Sequence, residues 1–382
     1  LTGTKTKNCP EKPLTDSQLF KIHLIVAARP NYMKIAPLYH ALKTEDWIQP
    51  VLIHTGQHYD YNMSEAFFND LGLPEPDVFL NVGSGTHAEQ TSKVMLGYEK
   101  VCMEAPPDLV VVVGDVNSTM AVAITAKKLH LQVAHLEAGL RSSDRRMPEE
   151  INRIVTDALS DILWTPSPDG DEHLHGEGIP AEKIVRVGNI MMDSYEMMRP
   201  KIEANTILDD MGLAARSYGV VTMHRPSNVD HKEKLTAITA TMAEICAELP
   251  LVFPLHPRTK KQLEAFGLYE KFADTPGLHL VEPLGYLPFM KLVSSARLVI
   301  TDSGGIQEET TYLNIPCLTL RDNTERPVTL TEGTNKLVNA DTLMENFHKA
   351  MRGDWPDGVK PDLWDGKTAL RIRDTLIERY KN

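Results

Sequence analysis

The chain has 382 residues, with 40 Lys and Arg against 52 Asp and Glu and a formal charge of −12. That length suits two domains, and 42% apolar residues are ample for a core in each. An acidic surface excludes long-range attraction to nucleic acid or an anionic membrane, and no apolar run nears the roughly 20 residues of a membrane span.

Residues 1–18 are polar, carry Pro10 and Pro13, and read as a flexible leader without the apolar core of a signal peptide. Short β-branched runs then alternate with amphipathic helical stretches. Strands are predicted at Ile22–Ala27, Val51–His54, Leu109–Gly114, Leu131–Glu137, Ile162–Thr165 and Ile184–Val187. Helices are predicted at Ile35–Leu42, Ala88–Met103, Thr119–Leu129 and Glu149–Ser160. The second half repeats this style, with strands at Gly219–Met223, Leu251–Leu255, Leu278–Val281, Leu298–Thr301, Pro316–Leu320 and Lys336–Val338. Helices fill Lys232–Leu249, Leu287–Ser294, Gly305–Leu313, Leu343–Arg352 and Lys367–Tyr380. The pattern is α/β, two doubly wound domains with a hinge in Met191–Leu213 and a ligand cleft between the carboxyl ends of both sheets. Cys9, Cys102, Cys246 and Cys317 lie too far apart in sequence for a zinc motif, so a reducing, cytoplasmic setting without a metal is expected.

Candidate chemistry gathers at strand ends. Arg29 and Lys34 open a helix after the first strand and could clamp an anion, or be solvated charges. Asp115 follows the strand Leu109–Gly114; helix capping is the competing use, but Asn117 or Ser118 could serve there. Glu137 ends the next strand and Glu149 begins the helix after it, so both could join Asp115 in a cluster of coupled carboxylates. Glu150 is assigned the ordinary task of a first-turn acid. His224 and Arg225 follow the first strand of the second half; His256 reads as a supporting residue. Thr301-Asp302-Ser303-Gly304-Gly305-Ile306-Gln307-Glu308-Glu309 brings bare amides to a helix start, suited to a diphosphate, with acids following for ribose hydroxyls. It is neither G-x-G-x-x-G nor a P-loop. Arg326 adds a third cation; Arg29, Lys34 and Arg326 together would approach charge balance with one diphosphate.

This set of motifs, with Thr55-Gly56-Gln57-His58, Pro148-Glu149-Glu150 and Thr324-Glu325-Arg326-Pro327, resembles the UDP-N-acetylglucosamine 2-epimerase family, its non-hydrolysing branch above all. The match runs from about Ile22 to Asn335 in the family's order. The resemblance implies a GT-B fold, with Rossmann-like domains over 19–190 and 191–365 and a helix at 366–382 crossing back to the first domain. It implies a homodimer, a UDP-sugar substrate, and neither metal nor nicotinamide cofactor. The family's chemistry inverts C2 by eliminating and re-adding UDP through a glycal, supplying units for polysaccharide. Carried over by motif, Asp115, Glu137, Glu149 and His224 would be catalytic. Arg29, Lys34, Ser303, Gly304, Gly305, Glu309 and Arg326 would hold UDP, with Phe289 beside the uracil.

Departures from the family pattern bear on substrate and regulation. Pro226-Ser227-Asn228 stands where many relatives carry Arg-Glu-Asn. Gln57-His58-Tyr59-Asp60 stands at the segment that, in substrate-activated relatives, touches a second UDP-sugar; Asp60 there argues against strong activation. Residues 60–72 and the turn ending at His87 are similar to relatives acting on diacetamido-uronic UDP-sugars. A hydrolysing epimerase, an epimerase of such a modified sugar and a non-catalytic UDP-sugar sensor stay open as alternatives.

Overall fold

A computed structural model describes residues 19–56 and 70–381. The leader and the segment Gln57–Asp60 lie outside the described residues, as do most of residues 60–72. Seven strands form the first sheet: β1 (Phe20–Val26), β2 (Ile48–His54), β3 (Val78–Phe79), β4 (Leu109–Val113), β5 (Gln132–Leu136), β6 (Ile162–Thr165) and β7 (Ile184–Arg186). Six form the second: β8 (Gly219–Thr222), β9 (Leu251–Pro254), β10 (Leu278–Val281), β11 (Leu298–Thr301), β12 (Cys317–Leu320) and β13 (Asn335–Val338). Every pairing is parallel, in the orders β3-β2-β1-β4-β5-β6-β7 and β10-β9-β8-β11-β12-β13. β4 is buried along its whole length, as a central parallel strand covered on both faces must be. This is the expected GT-B arrangement.

Strand order reverses between β1 and β4 in one sheet and between β8 and β11 in the other. Such switch points open a crevice at the carboxyl ends of the strands. The turns after β4, β8 and β11 carry Asp115, His224–Arg225 and Asp302–Ser303, and the helix Arg29–Lys43 after β1 carries Lys34.

The expected hinge is instead a structural member. Ile190–Glu203 is one helix, buried from Ile190 to Tyr195 and again at Met198 and Ile202. It packs on the helix Arg29–Lys43 of the first half and on Tyr286–Ser295 and Gly304–Tyr312 of the second. Pro200 sits inside it near the end, where the lost N–H costs least if the last turn is already loosening. The helix Thr368–Tyr380 packs against Arg29–Lys43 and Ile190–Glu203.

Candidate functional site

A cavity of about 510 Å³ lies between the two sheets, lined by both halves of the chain. The first half supplies Met33, Lys34, Asp115, Met147, Glu149 and Arg153. The second supplies Arg225, Tyr286, Phe289, Ser303, Gly304, Gly305, Glu308, Glu309 and Arg326. Its volume is typical of small-molecule sites, about 300–1,000 Å³. Arg29 opens its helix, but its side chain lies outside the described part.

The acids of the first domain are already partnered. Lys34 Nζ pairs with Glu137 Oε2, and Glu137 is itself in left-handed backbone, φ 71°, which turns its carboxylate off the end of β5. Gly114, φ 69°, lies under this pair: a Cβ there would sit 3.4 Å from Lys34 Nζ and 3.6 Å from Glu137 Oε2. Asp115 pairs with Arg153 Nη1, and its carbonyl accepts from Asn152 Nδ2 at 2.8 Å. Glu149 is exposed at the cavity rim. Glu150 is the expected first-turn acid, and it is also buried: it accepts from the Ser142 and Ser143 amides at 2.9 Å each and lies 2.7 Å from Arg153 Nη2. Burial opposes its charge, yet the Ser142 amide and Arg153 hold its carboxyl below the ordinary value. The expected capping by Asn117 or Ser118 is corrected. Val116 is the cap residue; Asn117 and Ser118 are buried, Asn117 donating to Gln90 at 2.8 Å and Ser118 meeting Thr55 at 2.9 Å.

Below the acids, His135 Nε2 faces the Gly114 carbonyl at 2.9 Å and Nδ1 the Asp157 carboxylate at 2.6 Å. Asp157 also accepts from Gly139 N at 3.1 Å and Arg141 Nη1 at 2.7 Å. Burial works against its charge, but His135 and Arg141 hold the carboxyl below its usual range. This buried network fixes the turns that carry Asp115 and Glu137.

In the second domain, Asp302 is fully buried and organises the neighbouring turn. It accepts from the His224 amide at 3.1 Å, the Arg225 amide at 2.9 Å and Asn228 Nδ2 at 3.0 Å. His224 Nδ1 lies 3.3 Å from Asp302 Oδ1, and the ring is 5.3 Å from that of His256. Desolvation lowers the His224 imidazole below its ordinary value; Asp302 opposes this and His256 adds to it. His224 does not line the cavity, whereas Arg225 does. His256 caps the helix Pro257–Ala265, its Nδ1 accepting from Arg258 N at 3.1 Å.

Gly304 and Gly305 begin the helix Gly304–Tyr312, whose first amides have no partner within the helix. At Gly304 a Cβ would lie 2.6 Å from Glu325 Oε1 and 2.7 Å from Arg326 Nη1; at Gly305 it would meet nothing. The first glycine thus admits the ion pair, and the second leaves open space. Arg326 is itself paired, 2.9 Å from Glu308 and 2.6 Å from Glu325. Burial pushes the Glu309 carboxyl up to about 8, Glu308 adds to the rise, and Tyr286 opposes it. Glu308 is raised by burial against the pull of Arg326. Glu308 and Glu309 are thus adjacent raised carboxyls at the helix start, while burial raises Asp169 and Asp193 elsewhere. Lys34 and Arg326 both face carboxylates here, Lys34 that of Glu137 and Arg326 those of Glu308 and Glu325. Arg225, Glu308 and Tyr286 were not singled out by sequence reasoning, although Arg225 adjoins His224 and Glu308 adjoins Glu309.

A model of the UDP-N-acetylglucosamine 2-epimerase family matches residues 40–377. The chain belongs to this family. A UDP-N-acetylglucosamine 2-epimerase of Methanocaldococcus jannaschii is 45% identical over 359 residues, 88% of this chain and 96% of that one. A UDP-2,3-diacetamido-2,3-dideoxy-D-glucuronate 2-epimerase of Pseudomonas aeruginosa is 41% identical over 337 residues, 87% of this chain and 92% of its own. A crystal structure of the M. jannaschii UDP-GlcNAc 2-epimerase with UDP-GlcNAc and UDP superposes with a TM-score of 0.84 at 41% identity, covering 94% of this chain and 99% of that one. In this epimerase, no helix among the described residues is long and apolar enough to cross a membrane.

Proposed function

We propose that this epimerase interconverts UDP-N-acetylglucosamine and UDP-N-acetylmannosamine by eliminating UDP across C1–C2 to a 2-acetamidoglucal and adding it back with inverted protonation. The observation that carries the reading is the shared cavity, where strand-end acids of one domain face the helix amides and arginines of the other. The diphosphate would lie on the amides at Ser303, Gly304 and Gly305 with Lys34, Arg29 and Arg326. Glu309 would take the ribose hydroxyls and Phe289 the uracil face. Developing charge on the leaving diphosphate is where such donors act, worth several kcal/mol for a well-placed set. Asp115, Glu137, Glu149 and His224 would move the C2 protons. Met33, Met147 and Met191 wall the cavity and would keep water from the glycal, so that UDP rather than hydroxide returns to C1. The working enzyme is a cytoplasmic homodimer, with domains at 19–190 and 191–365, that needs neither metal nor nicotinamide.

The test is UDP-GlcNAc in deuterated water followed by NMR. Deuterium at C2 together with UDP-ManNAc is the expected result. Free ManNAc plus UDP would mean hydrolysis, and no exchange would sink the reading for this sugar. The Pseudomonas relative, 41% identical, favours the diacetamido-glucuronate as a second substrate to run alongside.

A further inference from the structure

We propose that the second domain holds a separate site for a small phosphate monoester, at the amino ends of its sheet. A cavity of about 330 Å³ opens there, lined by Arg216, Arg297, Pro316, Trp355, Pro356 and Asp357 among others. These residues lie at or ahead of the starts of β8, β11 and β12, or follow the helix Ala340–Arg352. The epimerase cleft is at the opposite ends of the same strands. With four residues per strand the two edges are separated by roughly 13 Å, at about 3.3 Å per residue.

The arginines set this cavity apart. The buried guanidinium groups of this acidic protein sit on carboxylates, as Arg141, Arg153, Arg321 and Arg326 do, whereas here Arg216 is exposed and Arg297 half-buried. Arg216 and Arg297 instead spend one donor each on a backbone carbonyl: Arg216 Nη1 on Ala296 at 2.6 Å, Arg297 Nη2 on Met351 at 3.0 Å. Neither forms an ion pair among the described residues. Each guanidinium has five N–H groups, so both are held in place with donors to spare. Arg216 is fixed further by left-handed backbone, φ 63°, and by its amide on the Ser295 carbonyl at 2.7 Å.

Two anchored forks suit a phosphate that accepts from both. Trp355 supplies a wall for the carbon skeleton. Its Nε1 donates to the Thr334 carbonyl at 2.7 Å, and Lys336 Nζ lies 4.4 Å from its ring centroid, adding positive charge. Asp357 lines the same cavity and would accept from a sugar hydroxyl. The volume is at the low end for ligand sites, enough for a phosphorylated sugar and smaller than the cleft that would take a nucleotide sugar.

Calorimetric titration of the full chain with ribose 5-phosphate and with inorganic phosphate tests the site. Saturable binding is expected, about fivefold tighter for the sugar phosphate. R216A and R297K should each weaken it tenfold or more at an unchanged thermal midpoint; exposed Arg216 keeps the test valid if R297K folds poorly. The proposal is overturned by absence of saturable binding at millimolar ligand, by binding that R216A leaves intact, or by equal affinity for both ligands. These outcomes do not depend on what the cleft catalyses.

Discussion

Lys34, Arg153 and Arg326 enter the cleft with carboxylates already bound to them. On the proposed function, an arriving diphosphate would share these cations and so loosen Glu137 and Asp115. Glu309 carries the clearest pH consequence. Its carboxyl is raised from an ordinary 4.5 to about 8 by burial and by Glu308, so between those values the folded chain holds a proton that the unfolded chain has released. Stability from this residue is therefore fully present below about 4.5 and lost as pH rises toward 8. We expect E309Q to gain in thermal midpoint over the parent at pH 8 and to match it near pH 5. An equal effect at both values would show that Glu309 is ionised throughout. The strand-end positions of Asp115 and Glu137 were legible from the pattern of apolar runs. Their partners were not, because Lys34 and Arg153 lie 103 and 38 residues away and no local spacing encodes the contact. The burial of Glu150 against Arg153 was hidden for a related reason: a first-turn acid looks the same in sequence whether it meets water or a buried arginine.

At the scale of elements, strands were read within a residue or two where they are continuous apolar runs such as β4. Two-residue β3 went unseen, having too few positions to show a period. The helix Pro168–Gly176, with a buried face of only Gly170 and Leu174, also gave no amphipathic signal. The segment after Met191 looked like a linker because Met and charge alternate in it, but its methionines are apolar packing against both halves. The helix Thr368–Tyr380 shows how one element is tied to another. Lys367 at its start offers no side-chain cap. Asp193 from the helix Ile190–Glu203 takes that place, accepting from the Thr368 amide at 3.0 Å and the Ala369 amide at 2.8 Å. Asp193→Ala should cost about 1–2 kcal/mol, the range of a lost N-cap, measured by urea unfolding. A loss below about 0.5 kcal/mol would mean that water replaces the carboxylate at no cost.

Across the whole molecule each sheet keeps a core of its own on one face, and a further core is shared between them. One continuous cluster runs from Leu24, Leu38 and Leu136 of the first half through Met192, Tyr195 and Met198 to Val220, Leu292 and Val299 of the second half. Net charge, the first property the composition offers, describes the outside of this body. The cleft obeys local pairing, and the core decides how the body comes apart. Chains of two domains commonly unfold in steps when the interface is small and polar. Here the helix Ile190–Glu203 buries apolar residues against both halves, so melting one half strips cover from the other. Scanning calorimetry should therefore show one endotherm, with calorimetric and van't Hoff enthalpies in agreement. Met198→Ala removes a side chain that is 2% exposed and should cost about 2–5 kcal/mol. That loss should move the single transition down intact. Two resolved transitions in the parent chain would show that the halves fold independently and that this helix belongs to only one of them.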